Sequence, residues 1–280
     1  MNCCVFTNEK GGVGKTTVVS ILALTLARRG KKVLVIDTDG QCNASMVILH
    51  QKNAENNLYD VLINDVPAKD CIHHVKGLDI IPAHYELKNL DARLLTDPKK
   101  RLSAPTLLEQ AIRPIKDDYD YILVDTPPTG GMILVNAFML ADRVIVPAVP
   151  EGFAYAGFAD LFSTLQSVQN HRNNGLPVLE GILFTRVRKQ TTLHQEGLGF
   201  VQEEYEGIQV FETSIRDSIL IPTTQIMGVT PQEMDKRARV TQDCEEFVDE
   251  FEARMEGRPY TPTAALTQNS SGNEASLHEQ

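Results

Sequence analysis

The sequence predicts an α/β protein built on a doubly wound, mainly parallel sheet with helices on both faces. Two observations carry that expectation. A strand, a glycine-rich loop, a helix and a second strand follow one another within the first 36 residues, and short apolar runs then alternate with helical stretches as far as residue 255.

Residues 3–6 and 33–36 (Val-Leu-Val-Ile) are continuous apolar runs of the kind covered on both faces of a sheet. Between them 16–29 reads as a helix. Val19, Leu22, Ala23, Leu26 and Ala27 recur at three- and four-residue spacing, and Gly30 stands where a left-handed cap ends it. The unit is one right-handed parallel crossover. Further strands are predicted at 78–81, 120–124, 143–147, 178–184 and 208–211, with helices near 84–96, 103–115, 131–141, 152–170 and 192–206. The last helix has the sharpest start: Thr230-Pro231-Gln232-Glu233 is a capping box with proline at the first helical position. Met234, Ala238, Thr241, Cys244, Phe247, Phe251 and Met255 then trace one packing face. From Arg258 the composition turns to Thr, Ser, Asn, Gln and Gly, so a single domain over 1–257 and a disordered polar tail over 258–280 are expected.

Composition narrows the function. The chain has 280 residues, 42% of them hydrophobic, and no run approaching the ~20 apolar residues of a membrane span, which points to a soluble cytoplasmic protein. A net charge of −10 excludes a protein that coats nucleic acid with its whole surface, while leaving room for a local basic patch. The five cysteines are scattered without metal-ligand or C-x-x-C spacing, and Cys3 and Cys4 are expected to pack as small hydrophobes on the first strand.

The chemistry lies in Lys10-Gly11-Gly12-Val13-Gly14-Lys15-Thr16-Thr17, between a strand and a helix. Glycines let successive backbone N–H groups converge on phosphate oxygens, and the helix N-terminus adds favourable partial charge. Lys15 then neutralises the β- and γ-phosphates of ATP, and Thr16 offers a hydroxyl to magnesium. Asp37 and Asp39 emerge directly after the second strand, where ligands of doubly wound sheets bind, and Asp125 ends the strand Tyr121-Ile122-Leu123-Val124. From spacing alone, a turn or cap role for each aspartate remains the alternative.

Glu9 occupies the place of the first glycine of the ordinary phosphate-loop pattern, and Lys10 precedes the glycine pair. In this the loop resembles the deviant Walker A motif of the ParA/MinD family of P-loop ATPases, and the likeness extends from residue 2 to about residue 255. The resemblance implies an ATP-sandwich homodimer in which Lys10 reaches the partner subunit's nucleotide. Asp39, 24 residues after Lys15 (39 − 15), would orient the attacking water, with Asp125 and Asp37 near magnesium. It also implies base and dimer contacts from Pro147 and Glu151 and from Asp217, and weak ATP hydrolysis stimulated by a partner.

The run Asp37-Thr38-Asp39-Gly40-Gln41-Cys42-Asn43-Ala44-Ser45 is most similar to the short ParA and Soj-type partition ATPases, with Gly40 and Cys42 in place of the usual proline and glycine. A redox role for Cys42 stands beside an inert substitution. With the first strand starting at once, no separate N-terminal DNA-binding domain is expected. The branch implies non-specific DNA binding over the nucleoid and a ParB-type partner. Candidate phosphate contacts are Arg186, Arg188, Lys189, Arg216, Lys236, Arg237 and Arg239, although each cluster alone reads more simply as solvated surface. Positioning of a protein cargo, a MinD-like membrane switch and a metabolic P-loop ligase are the alternatives. No basic amphipathic helix is predicted in the tail to support the membrane reading.

Overall fold

The computed structural model describes residues 2–150, 157–188 and 207–261. Within them, eight strands form one sheet: β1 (Asn2–Phe6), β2 (Val33–Asp37), β3 (His73–Val75), β4 (Leu78–Ile81), β5 (Tyr121–Asp125), β6 (Arg143–Ala148), β7 (Val178–Val187) and β8 (Val210–Arg216). The order is β3-β4-β2-β5-β1-β6-β7-β8, and every pairing is parallel except β3 with β4. The doubly wound expectation therefore holds, with one short antiparallel edge strand that carries too few residues to show a pattern.

Because side chains alternate along a strand, the sheet separates two cores. Cys3, Val5, Leu34, Ile36, Ile122 and Val124 face one of them, against α7 (Met132–Leu140) and α8 (Phe158–Arg172). Cys4, Phe6, Val33, Val35 and Leu123 face the other, against α1 (Lys15–Arg28) and α11 (Arg239–Met255). Cys3 and Cys4 are buried free thiols, as expected.

Several elements depart from the sequence expectations. Short helices α2 (Asn43–Leu49), α3 (Leu58–Ile63) and α9 (Leu220–Met227) fill stretches with no predicted element. The 84–96 helix divides into a 3-10 turn at Tyr85–Asn89 and α4 (Leu90–Thr96). The 103–115 helix is likewise reduced to α6 (Leu107–Ile112) between 3-10 turns, after a separate α5 (Pro98–Ser103). The capping box forms at Thr230, whose hydroxyl accepts from the Glu233 amide at 3.2 Å while the Glu233 carboxylate accepts from the Thr230 amide at 2.7 Å. It starts only the single turn α10 (Pro231–Met234), however. Asp235 is extended at φ −150° and accepts the Arg237 amide at 2.9 Å, and α11 begins afresh at Arg239. Met234 is thus excluded from the packing face, whereas Thr241, Cys244, Phe247, Phe251 and Met255 are buried as expected. The acidic face of α11 is engaged by the end of α1: Arg28 pairs with Glu245, and Arg29, the residue just beyond, pairs with Glu245, Asp249 and Glu252. The 192–206 helix, the start of the 152–170 helix and most of the 258–280 tail lie outside the described residues.

Candidate functional site

Strand register brings the site together. Phe6 of β1 pairs with Asp125 of β5, and Asp125 pairs with Asp37 of β2, so the phosphate loop and both aspartates leave the sheet at one level on three adjacent strands. The Asp125 carbonyl accepts from the Thr38 amide at 2.9 Å and the Thr38 hydroxyl at 2.7 Å, which locks the two carboxyl ends together. Over them opens a cavity of about 780 Å³ bordered by Gly12, Lys15, Thr16, Thr17 and Asp39, a size suited to a nucleotide.

The loop turns through two left-handed glycines, Gly12 at φ 76° and Gly14 at φ 87°, and Lys15 opens α1. The buried Lys15 ammonium donates to the Asn8 carbonyl at 2.8 Å and the Lys10 carbonyl at 3.4 Å. Burial lowers its pKa, opposed by the charges of Asp125 and Asp39. Lys10 lies half-buried on the same turn, its amide bonded to Asn8 Oδ1 at 2.9 Å.

The sequence did not single out three residues that shape the loop. Asn8 bonds the Lys10 amide and donates to the Pro147 carbonyl at 2.8 Å. From β7, the Thr185 hydroxyl donates to the Val13 carbonyl at 2.6 Å. Gln225 of α9 donates to the Thr17 hydroxyl at 2.9 Å. Each contact joins residues more than a hundred positions apart, except those within the loop, so no local motif could announce it.

The three aspartates have different surroundings. Asp37 is fully buried and accepts from Ser45 N at 2.8 Å, Ser45 Oγ at 2.7 Å and Asp39 N at 3.1 Å. Burial pushes its carboxyl up to about 6 against those hydrogen bonds. Asp125 is also fully buried, and burial together with the neighbouring Asp37 charge raises its carboxyl well above the usual range. Its Oδ2 accepts from the Thr16 hydroxyl at 2.7 Å, while Oδ1 is buried with no hydrogen-bond partner among the described residues. Asp39 borders the cavity and accepts the Gln41 amide at 2.8 Å through Oδ1.

An orphaned carboxylate oxygen beside a threonine hydroxyl fits magnesium, which takes few protein ligands and keeps waters and phosphate oxygens. Among the described residues no three His, Cys, Asp or Glu side chains are grouped to hold a metal by themselves.

Gly40 and Cys42 have physical reasons. A Cβ on Gly40 would stand 3.1 Å from the Lys88 amide nitrogen and 3.2 Å from the Tyr85 carbonyl oxygen, so the backbone there is closely covered. Cys42 holds a left-handed backbone at φ 59°, a position that favours glycine, and its thiol is buried. Burial raises the thiol pKa, which disfavours the reactive thiolate that a redox role needs.

Of the outlying candidates, Pro147 is buried in β6 rather than bordering the cavity, and Glu151 and Lys189 fall outside the described residues. Asp217 borders the cavity and pairs with Arg188 at 3.1 Å. Arg186 donates to the Gly12 carbonyl at 3.3 Å. Arg216 is held by Asp243 of α11 at 2.5 and 2.6 Å, while Lys236, Arg237 and Arg239 are exposed. The register partner of Arg216 is Val187, between Arg186 and Arg188, so these three arginines share the carboxyl ends of β7 and β8.

A family model described as an AAA domain matches residues 1–178. The chain is 34% identical to the sporulation initiation inhibitor protein Soj of Bacillus subtilis over 238 residues, covering 83% of this chain and 91% of that one. The chain belongs to the ParA/MinD family of P-loop ATPases. A second family member, the chromosome-partitioning ATPase Soj of Thermus thermophilus, is 35% identical, with 80% and 84% of the two chains covered. Among solved structures, cobyrinic acid a,c-diamide synthase from Mycobacterium smegmatis with bound ADP and magnesium is 25% identical and superposes with a TM-score of 0.80, over 94% of this chain and 98% of that one. Family membership makes the chain a P-loop ATPase.

Proposed function

We propose that this chain is a ParA-type partition ATPase. Its ATP-bound form is a homodimer that binds DNA without sequence preference, and a ParB-type partner on the cargo stimulates hydrolysis. Residues 1–257 form the single ATPase domain, which works in the cytoplasm over the nucleoid. The observation that carries the reading is the second lysine: Lys10 stands on the same turn as Lys15, yet it is Lys15 whose ammonium is buried in that turn. Lys10 serves the partner subunit's nucleotide. The likeness to the two Soj proteins supports partition over the other branches.

Gly11, Gly12, Val13 and Gly14 present the loop amides to the phosphates, with Lys15, Thr16 and Thr17 at the helix N-terminus. Thr16 and Asp125, the latter through water, would hold magnesium, which when bound offsets phosphate charge; Asp37 steadies the turn from beneath. Asp39 orients water for in-line attack on the γ-phosphate, so rate comes from positioning and charge stabilisation. Asp217, beside the cavity, contacts the base. Arg186, Arg188 and Arg216 supply part of the cationic DNA surface, with Lys236, Arg237 and Arg239 exposed beyond them.

Sedimentation tests the dimer. With ATP and magnesium the protein is expected to sediment as a dimer and with ADP as a monomer, while Lys10→Ala binds ATP but stays monomeric. A Lys10→Ala protein that dimerises as well as the wild type would favour a metabolic P-loop ligase, which has no need of this lysine.

A further inference from the structure

Residues 83–91 run from beyond the end of β4 into the first turn of α4, and three contacts tie this short segment to both acidic loops. At its start, the Ala83 amide donates to Ser45 Oγ at 3.0 Å, and the same hydroxyl donates to Asp37 Oδ2 at 2.7 Å. In its middle, the backbone between Tyr85 and Lys88 lies against Gly40, one residue after Asp39, closely enough that any Cβ there would press on it. Asn53 braces this stretch, its Oδ1 accepting the Tyr85 amide at 3.0 Å and facing Cys42 Sγ at 3.6 Å. At its end, the Asp91 carboxylate accepts the Met132 amide at 3.1 Å, at the first residue of α7. That helix start follows Gly131 at φ 97°, where a Cβ would meet Asp91 Oδ2 at 2.7 Å. Residues 126–131 are the turn that leads from Asp125 to this point.

We propose that residues 83–91 are a strap that couples the loop carrying Asp39 to the loop following Asp125, with Asp91 as a positioning residue for hydrolysis. The inference rests on the ATPase reading of the site and adds to it a mechanical link between its two acidic loops. Asp91 sits outside the cavity and acts through the amino end of α7, where a carboxylate both accepts an otherwise unpaired N–H and complements the helix dipole. If the Asp91 contact is lost, the 126–131 turn is freed; if the cover over Gly40 is lifted, the strap carries Asp91 away from Met132. Both changes act on the two acidic loops and alter no residue of the phosphate loop.

The test uses the full chain with Asp91→Ala, Asp91→Asn, Gly40→Ala and the double variant Gly40→Ala/Asp91→Ala. Turnover at saturating ATP, the KM for ATP and amide hydrogen exchange are measured. Asp91→Ala is expected to lower kcat about fivefold with KM within about twofold, and Asp91→Asn, which still accepts the amide, to recover most of it. Gly40→Ala is expected to speed exchange at Met132 and its neighbours, far along the chain from the substitution. The double variant should be no slower than the slower single variant, because both act through one element. Should Gly40→Ala not fold, faster exchange at residues 39–42 in Asp91→Ala carries the same test from the other end. Unchanged kcat in Asp91→Ala, multiplicative losses in the double variant, or exchange changes confined to the substituted loop would each overturn the strap. Failure of the ATPase reading itself has a different signature, since the wild type would then hydrolyse no ATP.

Discussion

Lys15→Met is expected to lower ATP affinity at least about 100-fold, or ~2.7 kcal/mol, measured by titration with a fluorescent ATP analogue. The methionine keeps most of the apolar stem, so the substitution removes chiefly the charge. In the structure that ammonium is buried and satisfied by the carbonyls of Asn8 and Lys10. It waits in the loop partly desolvated, and a triphosphate offers a far stronger partner than two neutral carbonyls do. Hydrogen bonds to charged groups contribute about 1.5–3 kcal/mol each, and Lys15 makes more than one to the β- and γ-phosphates. An unchanged far-ultraviolet circular dichroism spectrum separates this loss from unfolding. ATP affinity within threefold of the wild type would show that Lys15 is only a loop fastener.

Asp39→Ala is expected to behave in the opposite way, with turnover falling about 100-fold or more and ATP affinity held or improved. Asp39 follows β2 and borders the cavity, and in the proposed mechanism its carboxylate faces the water rather than the nucleotide's counter-charges. Removing a negative group near the γ-phosphate relieves repulsion, so binding does not suffer. Asp39→Asn distinguishes the catalytic role from the structural one. Asparagine can still accept the Gln41 amide now held by Asp39 Oδ1 at 2.8 Å, yet it cannot carry the charge. Single-turnover hydrolysis restored to the wild-type rate in Asp39→Asn would make Asp39 a turn cap and nothing more.

The glycine turns of the phosphate loop and the strand-end positions of the three aspartates were legible in local sequence, whereas the roles of the aspartates came only from the family resemblance. Register then did the rest, setting Asp37 beside Asp125. What the sequence concealed is of two kinds. Asn8, Thr185, Gln225 and Asp91 make their decisive contacts to distant backbone or side chains, and a lone Thr or Gln on a strand or helix has no pattern to betray it. The short elements α2, α3, α9 and β3 are too brief for periodicity to register. The break between α10 and α11 was hidden for a third reason. The capping box that opens α10 is genuine, but Asp235 at once offers its side chain to the Arg237 amide and ends the helix. The same break leaves Lys236 and Arg237 exposed between the two helices, just before the exposed Arg239.

In the proposed function, nucleotide state governs attachment to DNA. Retention of the full chain on random-sequence duplex DNA, measured with ATP, with ADP and for Asp39→Ala with ATP, tests it most directly. Strong retention is expected with ATP and stronger still for Asp39→Ala, which binds ATP without consuming it. Retention with ADP should be weak, and the ATP-dependent binding should fall steeply with added salt. Equal retention in all three conditions would rule out nucleotide-controlled DNA binding.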